Sequence, residues 1–263
     1  GSLLNPKDNR PPAERLADLT TLLAVEAEPN AENWSRLLAE GNPLLVADAV
    51  RSWRQFAGNA AMTKVLAESA AAVLKRQPEL GDDLAAVAAA IKIDGVIRSQ
   101  VSLPALPADD AAYHDAAVAA PSASKDKERE RVVMGRRVFE RAGCVKCHAA
   151  VAQATERAPS LAGIGKAQNV DYLIESVLDP SKVIKTGFET ETIVTADGKV
   201  YNGLVKEQGD TLRVLTPDTE ILVKKSEVDE RSVQRKSLMP DGQHRALSRI
   251  EFADLIGYLQ SLK

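Results

Sequence analysis

The chain has 263 residues, 44% of them hydrophobic, and a formal net charge of −3; it can bury a core, and it offers no case for nucleic acid or an anionic membrane as its main partner. Aromatic residues make up only 4% and alanine is abundant, which favours helices packed through small side chains. There is no apolar run of about 18 residues, so no transmembrane helix is expected, and both cysteines sit in one Cys-x-x-Cys, which excludes a structural disulfide framework. Residues 1–130 are net acidic and 131–263 slightly basic. The Gly1-Ser2 start reads as a cleavage scar, so the chain is expected to be a piece of a longer precursor.

Residues 12–100 predict a series of helices. Pro12-Ala13-Glu14 opens the first, with Leu16, Leu19, Leu22 and Leu23 at helical spacing. Glu32 to Glu40 forms the second, ended by Gly41-Asn42-Pro43, and Leu44 to Phe56 the third. Asn59 caps a fourth that runs to about Lys75 before Pro78, and Asp82-Asp83 begin a fifth, Leu84 to Ile93. Helix starts recur roughly every 15–20 residues, which fits a HEAT-like array of helix pairs of about 35–40 residues. An irregular helical bundle stays open, because no internal sequence identity accompanies the spacing.

Pro104, Pro107 and Pro121 mark residues 104–130 as a linker, closed by the charge run Lys125 to Glu130. That run reads as the solvated first turns of a helix whose body is about Arg131 to Ala142, ended by Gly143. A loop over 149–168 precedes a short helix, Val170 to Leu178, stopped by Asp179-Pro180. From Phe188 the period changes to two. Phe188–Thr195 and Lys199–Lys206 flank Asp197-Gly198, a strong hairpin signal, and Thr211–Thr216 and Glu220–Lys224 follow further turns. A four-stranded antiparallel sheet is expected within about 188–230, curled toward a small barrel. Ser248-x-x-Glu251 is a capping box that opens a final helix to Leu262.

Cys144-Val145-Lys146-Cys147-His148 is the strongest chemical signal. Two thiols with two residues between them can add across the two vinyl groups of one haem, and the adjacent histidine is then held at the iron. A zinc site needs more ligands and there is no further cysteine; a thioredoxin-type redox site needs a preceding βαβ pattern. A second axial ligand is required for an electron carrier. The candidates are Met62, Met134, Met239, His114 and His244. Met239 is preferred, because Ser237, Pro240, Asp241 and Gly242 make its surroundings a loop rather than a core, and His244 is its rival.

These residues resemble class I c-type cytochromes: Gly135 and Phe139 before the motif, Ala158-Pro159-Ser160-Leu161 after it, Ser237-Leu238-Met239-Pro240, then Leu255, Tyr258 and Leu259 in the last helix. The resemblance implies that the first and last helices of that module cross, with Gly135 against Tyr258. It also implies that the Pro159 carbonyl accepts the Nδ1 proton of His148. The long separation of His148 from Met239 departs from ordinary members. It is closer to the haem-binding domain at the C-terminus of large planctomycete and verrucomicrobial proteins, matched by Tyr172 to Ser181, Thr195-Ala196-Asp197-Gly198, Gly203 and Ser237 to Pro240.

The expected organisation is therefore mainly α: a HEAT-like domain over 1–103, a linker over 104–130, and a cytochrome c domain over 131–263 with its β insertion. One haem c per chain is expected, held by Cys144, Cys147 and His148, with Met239 as the other iron ligand and Pro159 supporting His148. The expected role is electron transfer, in a periplasmic or equivalent compartment, with a redox partner protein or an upstream dehydrogenase domain as donor. A haem peroxidase or ligand sensor with a displaceable sixth ligand is one alternative, and a helical protein-binding scaffold with accessory haem is another. Lys146, Lys166, Lys182 and Lys185 are candidates for a positive docking rim.

Overall fold

The computed structural model describes residues 10–11, 14, 16–17, 29–40, 42–120, 124–148 and 154–263. Its helices are α1 (Ala31–Glu40), α2 (Pro43–Ser52), α3 (Ala60–Arg76), α4 (Gly81–Ala90), α5 (Asp94–Arg98), α6 (Ala111–Ala119), α7 (Lys125–Arg141), α8 (Ile164–Ala167), α9 (Val170–Leu178) and α10 (Arg249–Ser261). Its strands are β1 (Glu189–Thr195), β2 (Val200–Gln208), β3 (Thr211–Leu215), β4 (Glu220–Lys224) and β5 (Val228–Ser237). Two compact units are present, Gly1–Val138 with Arg245–Tyr258, and Phe139–His244 with Leu259–Lys263.

In the first unit, asparagines start the helices. Asn42 Oδ1 accepts the Leu44 N–H at 3.0 Å with Pro43 in the first turn, and Asn59 Oδ1 accepts the Met62 N–H at 3.1 Å. α1 packs on α3 and α2 on α4, so alternate helices stack. Between them Trp34, Trp53 and Phe56 meet edge to face, with ring centroids 5.0–5.5 Å apart, and both tryptophans are fully buried. The aromatic content is low, yet three rings are concentrated at this one point, and each such pair contributes about 0.5–1.5 kcal/mol beyond its burial. Of the helix expected from Pro12, Glu14, Leu16 and Ala17 are helical and Leu16 is buried; Leu19, Leu22 and Leu23 lie outside the described residues.

The stretch expected to be a linker contains α6. Its bounding prolines obscured it, and its alanine-rich sequence carries little amphipathic pattern. Tyr113 and Ala117 are its buried residues, and Tyr113 packs edge to face on Phe252 of α10. The charge run Lys125–Glu130 forms the first turns of α7, as its sequence predicts.

α7 and α10 cross at Gly135. A Cβ there would fall inside the carbonyl oxygen of Asp254 and lie 2.8 Å from the Tyr258 Cβ. Beside the crossing, charge is buried in an ordered set. Arg51 is in ion-pair contact with Asp83 at 3.1 Å and Asp254 at 2.8 Å; Arg54 bonds both Glu251 oxygens at 2.9 and 2.7 Å; Arg137 holds Asp48. Burial outweighs the pull of Arg51 and pushes the Asp83 carboxyl up to about 6. The capping box closes as the sequence predicts, Ser248 N–H donating to Glu251 at 2.9 Å and Glu251 N–H to Ser248 Oγ at 3.0 Å.

In the second unit the sheet has five antiparallel strands, in the order β4-β3-β2-β1-β5, not the four expected. β5 lies beyond the expected limit at 230 and runs to Ser237. Apart from Val228 and the exposed Val233 it is polar, and it is largely exposed, so it shows no alternating apolar signal; Arg231, paired with Glu191 and Glu207, ties it to β1 and β2. Ile193, Leu212, Val214 and Val223 form the buried side of the sheet. α8 meets the end of α10 through the Gly165 N–H, which donates to the Leu262 carbonyl at 2.9 Å.

Because backbone, not a movable side-chain tip, faces Gly135, Gly135→Val is expected to destabilise the chain by about 1–3 kcal/mol or more, read as a lower urea midpoint. An unchanged midpoint would mean that α7 and α10 do not approach this closely.

Candidate functional site

The site is built on the end of α7. Gly143, at φ +79°, ends the helix in the left-handed conformation and donates its N–H to the Glu140 carbonyl at 3.1 Å. A single 3-10 turn, Cys144–Lys146, follows. The Cys144 carbonyl accepts the N–H of Cys147 at 3.2 Å and that of His148 at 2.9 Å. Both thiols and the imidazole are thus displayed from one tight turn.

Cys144 and Cys147 are half-buried and not bonded to each other. Burial pushes the Cys144 thiol up to about 11, so it is protonated at neutral pH. Among the described residues there is no group of three or more His, Cys, Asp or Glu side chains that could hold a metal ion.

His148 Nδ1 lies 3.1 Å from the Pro159 carbonyl oxygen. A carbonyl can only accept, so Nδ1 carries the proton and Nε2 the lone pair. Burial lowers the pKa of the ring and the Pro159 contact partly opposes this, leaving a neutral imidazole with Nε2 able to ligate. The structure therefore brings Cys144, Cys147, His148 and Pro159 together.

Two further residues, not picked out in the sequence, hold this site. Thr155 Oγ donates to the Cys147 carbonyl at 2.6 Å and accepts the N–H groups of Arg157 at 3.2 Å and Ala158 at 3.0 Å. Arg157 reaches the β3–β4 turn, donating to the carbonyls of Thr216 at 2.8 Å and Thr219 at 3.1 Å. A Thr followed by a turn and then Pro could have signalled the first; the partners of Arg157 are too distant in sequence for any local pattern.

The candidate second ligands separate cleanly. Met62 and Met134 are buried in the core of the first unit, and His114 is half-buried on α6 beside Asp115. Met239 and His244 belong to the second unit. Met239 is half-buried in the loop after β5, its N–H donating to Ser237 Oγ at 3.1 Å. His244 is buried in the 3-10 turn Gln243–Ala246. A cavity of about 470 Å³ on the sheet, between the β1–β2 turn and β4, is lined by none of these residues. No helix among the described residues is long and apolar enough to cross a membrane. Comparison with known protein families and with curated proteins finds no match for the chain.

Thr155→Val keeps the shape but leaves the Cys147 carbonyl and two N–H groups without this partner. A loss of about 1–3 kcal/mol is expected in urea unfolding; wild-type stability would show that the hydroxyl holds nothing.

Proposed function

We propose that the chain is an electron-transfer module that would carry one covalently attached haem c on Cys144 and Cys147, with His148 and Met239 as the residues that would hold its iron. The observation that carries this reading is the His148 Nδ1 contact with Pro159, which leaves Nε2 as the ligating nitrogen beside two unbridged thiols. When bound, the haem supplies one-electron chemistry at its iron.

The chain's own residues divide the remaining work. Cys144 and Cys147 fix the group's position through thioether bonds. Pro159 and the Thr155 turn orient the imidazole. Met239 offers a thioether sulfur from a loop, and a methionine ligand favours a higher potential than a second histidine. The crossing of α7 and α10 at Gly135 supports a class I cytochrome c arrangement. The stacking of alternate helices α1–α4 supports a HEAT-like array before it. By resemblance, the module accepts electrons from an upstream dehydrogenase domain or a redox partner, in a periplasmic or equivalent compartment.

Co-expression with a c-type haem maturation system tests the reading. The wild-type band on a denaturing gel should stain for haem, and the Cys144→Ser, Cys147→Ser double variant should not. Stain in the double variant would overturn the attachment. Met239→Ala should keep covalent haem and lower the reduction potential; an unchanged spectrum and potential would remove Met239 as a ligand.

A further inference from the structure

The sheet is more than an excursion between His148 and Met239. Segment 155–159 forms no helix and no strand, so its position depends on individual ties. One tie runs to the motif, from Thr155 Oγ to the Cys147 carbonyl, and one to the imidazole, from the Pro159 carbonyl to His148 Nδ1. The third is Arg157. Its guanidinium spans the carbonyls of Thr216 and Thr219, the two residues that flank the β3–β4 turn.

That turn is already closed before Arg157 arrives. The Thr216 N–H donates to the Thr219 carbonyl at 2.9 Å and the Thr219 N–H to Thr216 Oγ at 3.0 Å. It therefore presents two fixed acceptors, which suit the rigid fork of an arginine and not the single point of a lysine. A neighbouring link, Glu156 to Arg213, is bidentate at 2.9 Å, but Glu156 is 54% exposed. Exposed ion pairs contribute little, so the anchoring falls to Arg157.

We infer that Arg157 is a positioning residue: through it the β3–β4 turn holds the Pro159 carbonyl against His148 Nδ1, and so the sheet sets the orientation of the imidazole. The consequence for potential rests on the haem reading above; the consequence for the histidine does not. A weaker Nδ1–H···O bond makes the imidazole a poorer electron donor, so loss of the anchor should raise the reduction potential, opposite in direction to loss of Met239.

The test uses the full chain with and without attached haem. In the haem-free chain, nitrogen-resolved NMR of the His148 side chain should show a protected Nδ1–H in wild type. That signal should be lost in Arg157→Ala and weakened in Arg157→Lys, which keeps charge and stem but not the fork. Arg213→Gln should leave it unchanged. In the haem-loaded chain the potential should rise in the same order. Should Arg157→Ala fail to fold, the lysine variant gives the decision. Wild-type signal and potential in both Arg157 variants, or an equal loss in Arg213→Gln, would overturn the inference. Loss of the Nδ1–H signal in a chain that never attaches haem would leave the inference standing and overturn the haem reading alone.

Discussion

The hydrogen bond from His148 Nδ1 to the Pro159 carbonyl is the constraint on which the second unit turns. Proline has no N–H of its own, and its carbonyl offers only lone pairs, so the bond has one possible polarity. That polarity decides the tautomer, and the tautomer decides which nitrogen is left to ligate. The surrounding elements serve the same end. Gly143 ends α7 abruptly enough for the Cys144–Lys146 turn to begin at once, and the Cys144 carbonyl then collects the N–H groups of both Cys147 and His148. The Thr155 hydroxyl joins the far side of the loop to the Cys147 carbonyl.

The first unit solves a different problem, which is to pack an alanine-rich sequence with few aromatic residues. It does so by close backbone approach at Gly135, by concentrating Trp34, Trp53 and Phe56 at one point, and by burying charge in matched sets. Arg51 lies between Asp83 and Asp254, and Arg54 is held by Glu251 as well as by the carbonyls of Arg51 and Ala246. Buried pairs of this kind contribute little net stability over an apolar core, but each fails badly without its partner. They act on α10, where Asp254 meets Arg51 and Glu251 meets Arg54 while also accepting the Ser248 N–H of the capping box.

Much of this was legible in the sequence because the signals were local. Asn59, the Ser248–Glu251 box, the Asp197-Gly198 turn and the stop at Asp179-Pro180 each act within a few residues of themselves, and each is found where its chemistry places it. Gly135 opposite Tyr258 was legible through resemblance, since nothing local distinguishes a packing glycine from any other. The parts missed share a physical cause. β5 is held by backbone pairing and by Arg231 rather than by a buried apolar face, so its residues alternate in no visible way. α6 is bounded by prolines and is apolar nearly all round. Arg157 acts on two backbone carbonyls of a distant turn, and a carbonyl leaves no mark in a sequence.

The most direct measurement is the intact mass of the chain after maturation, taken under denaturing conditions. The account expects the polypeptide plus one haem, with no free haem released. Polypeptide mass alone, or haem that separates on denaturation, would contradict it.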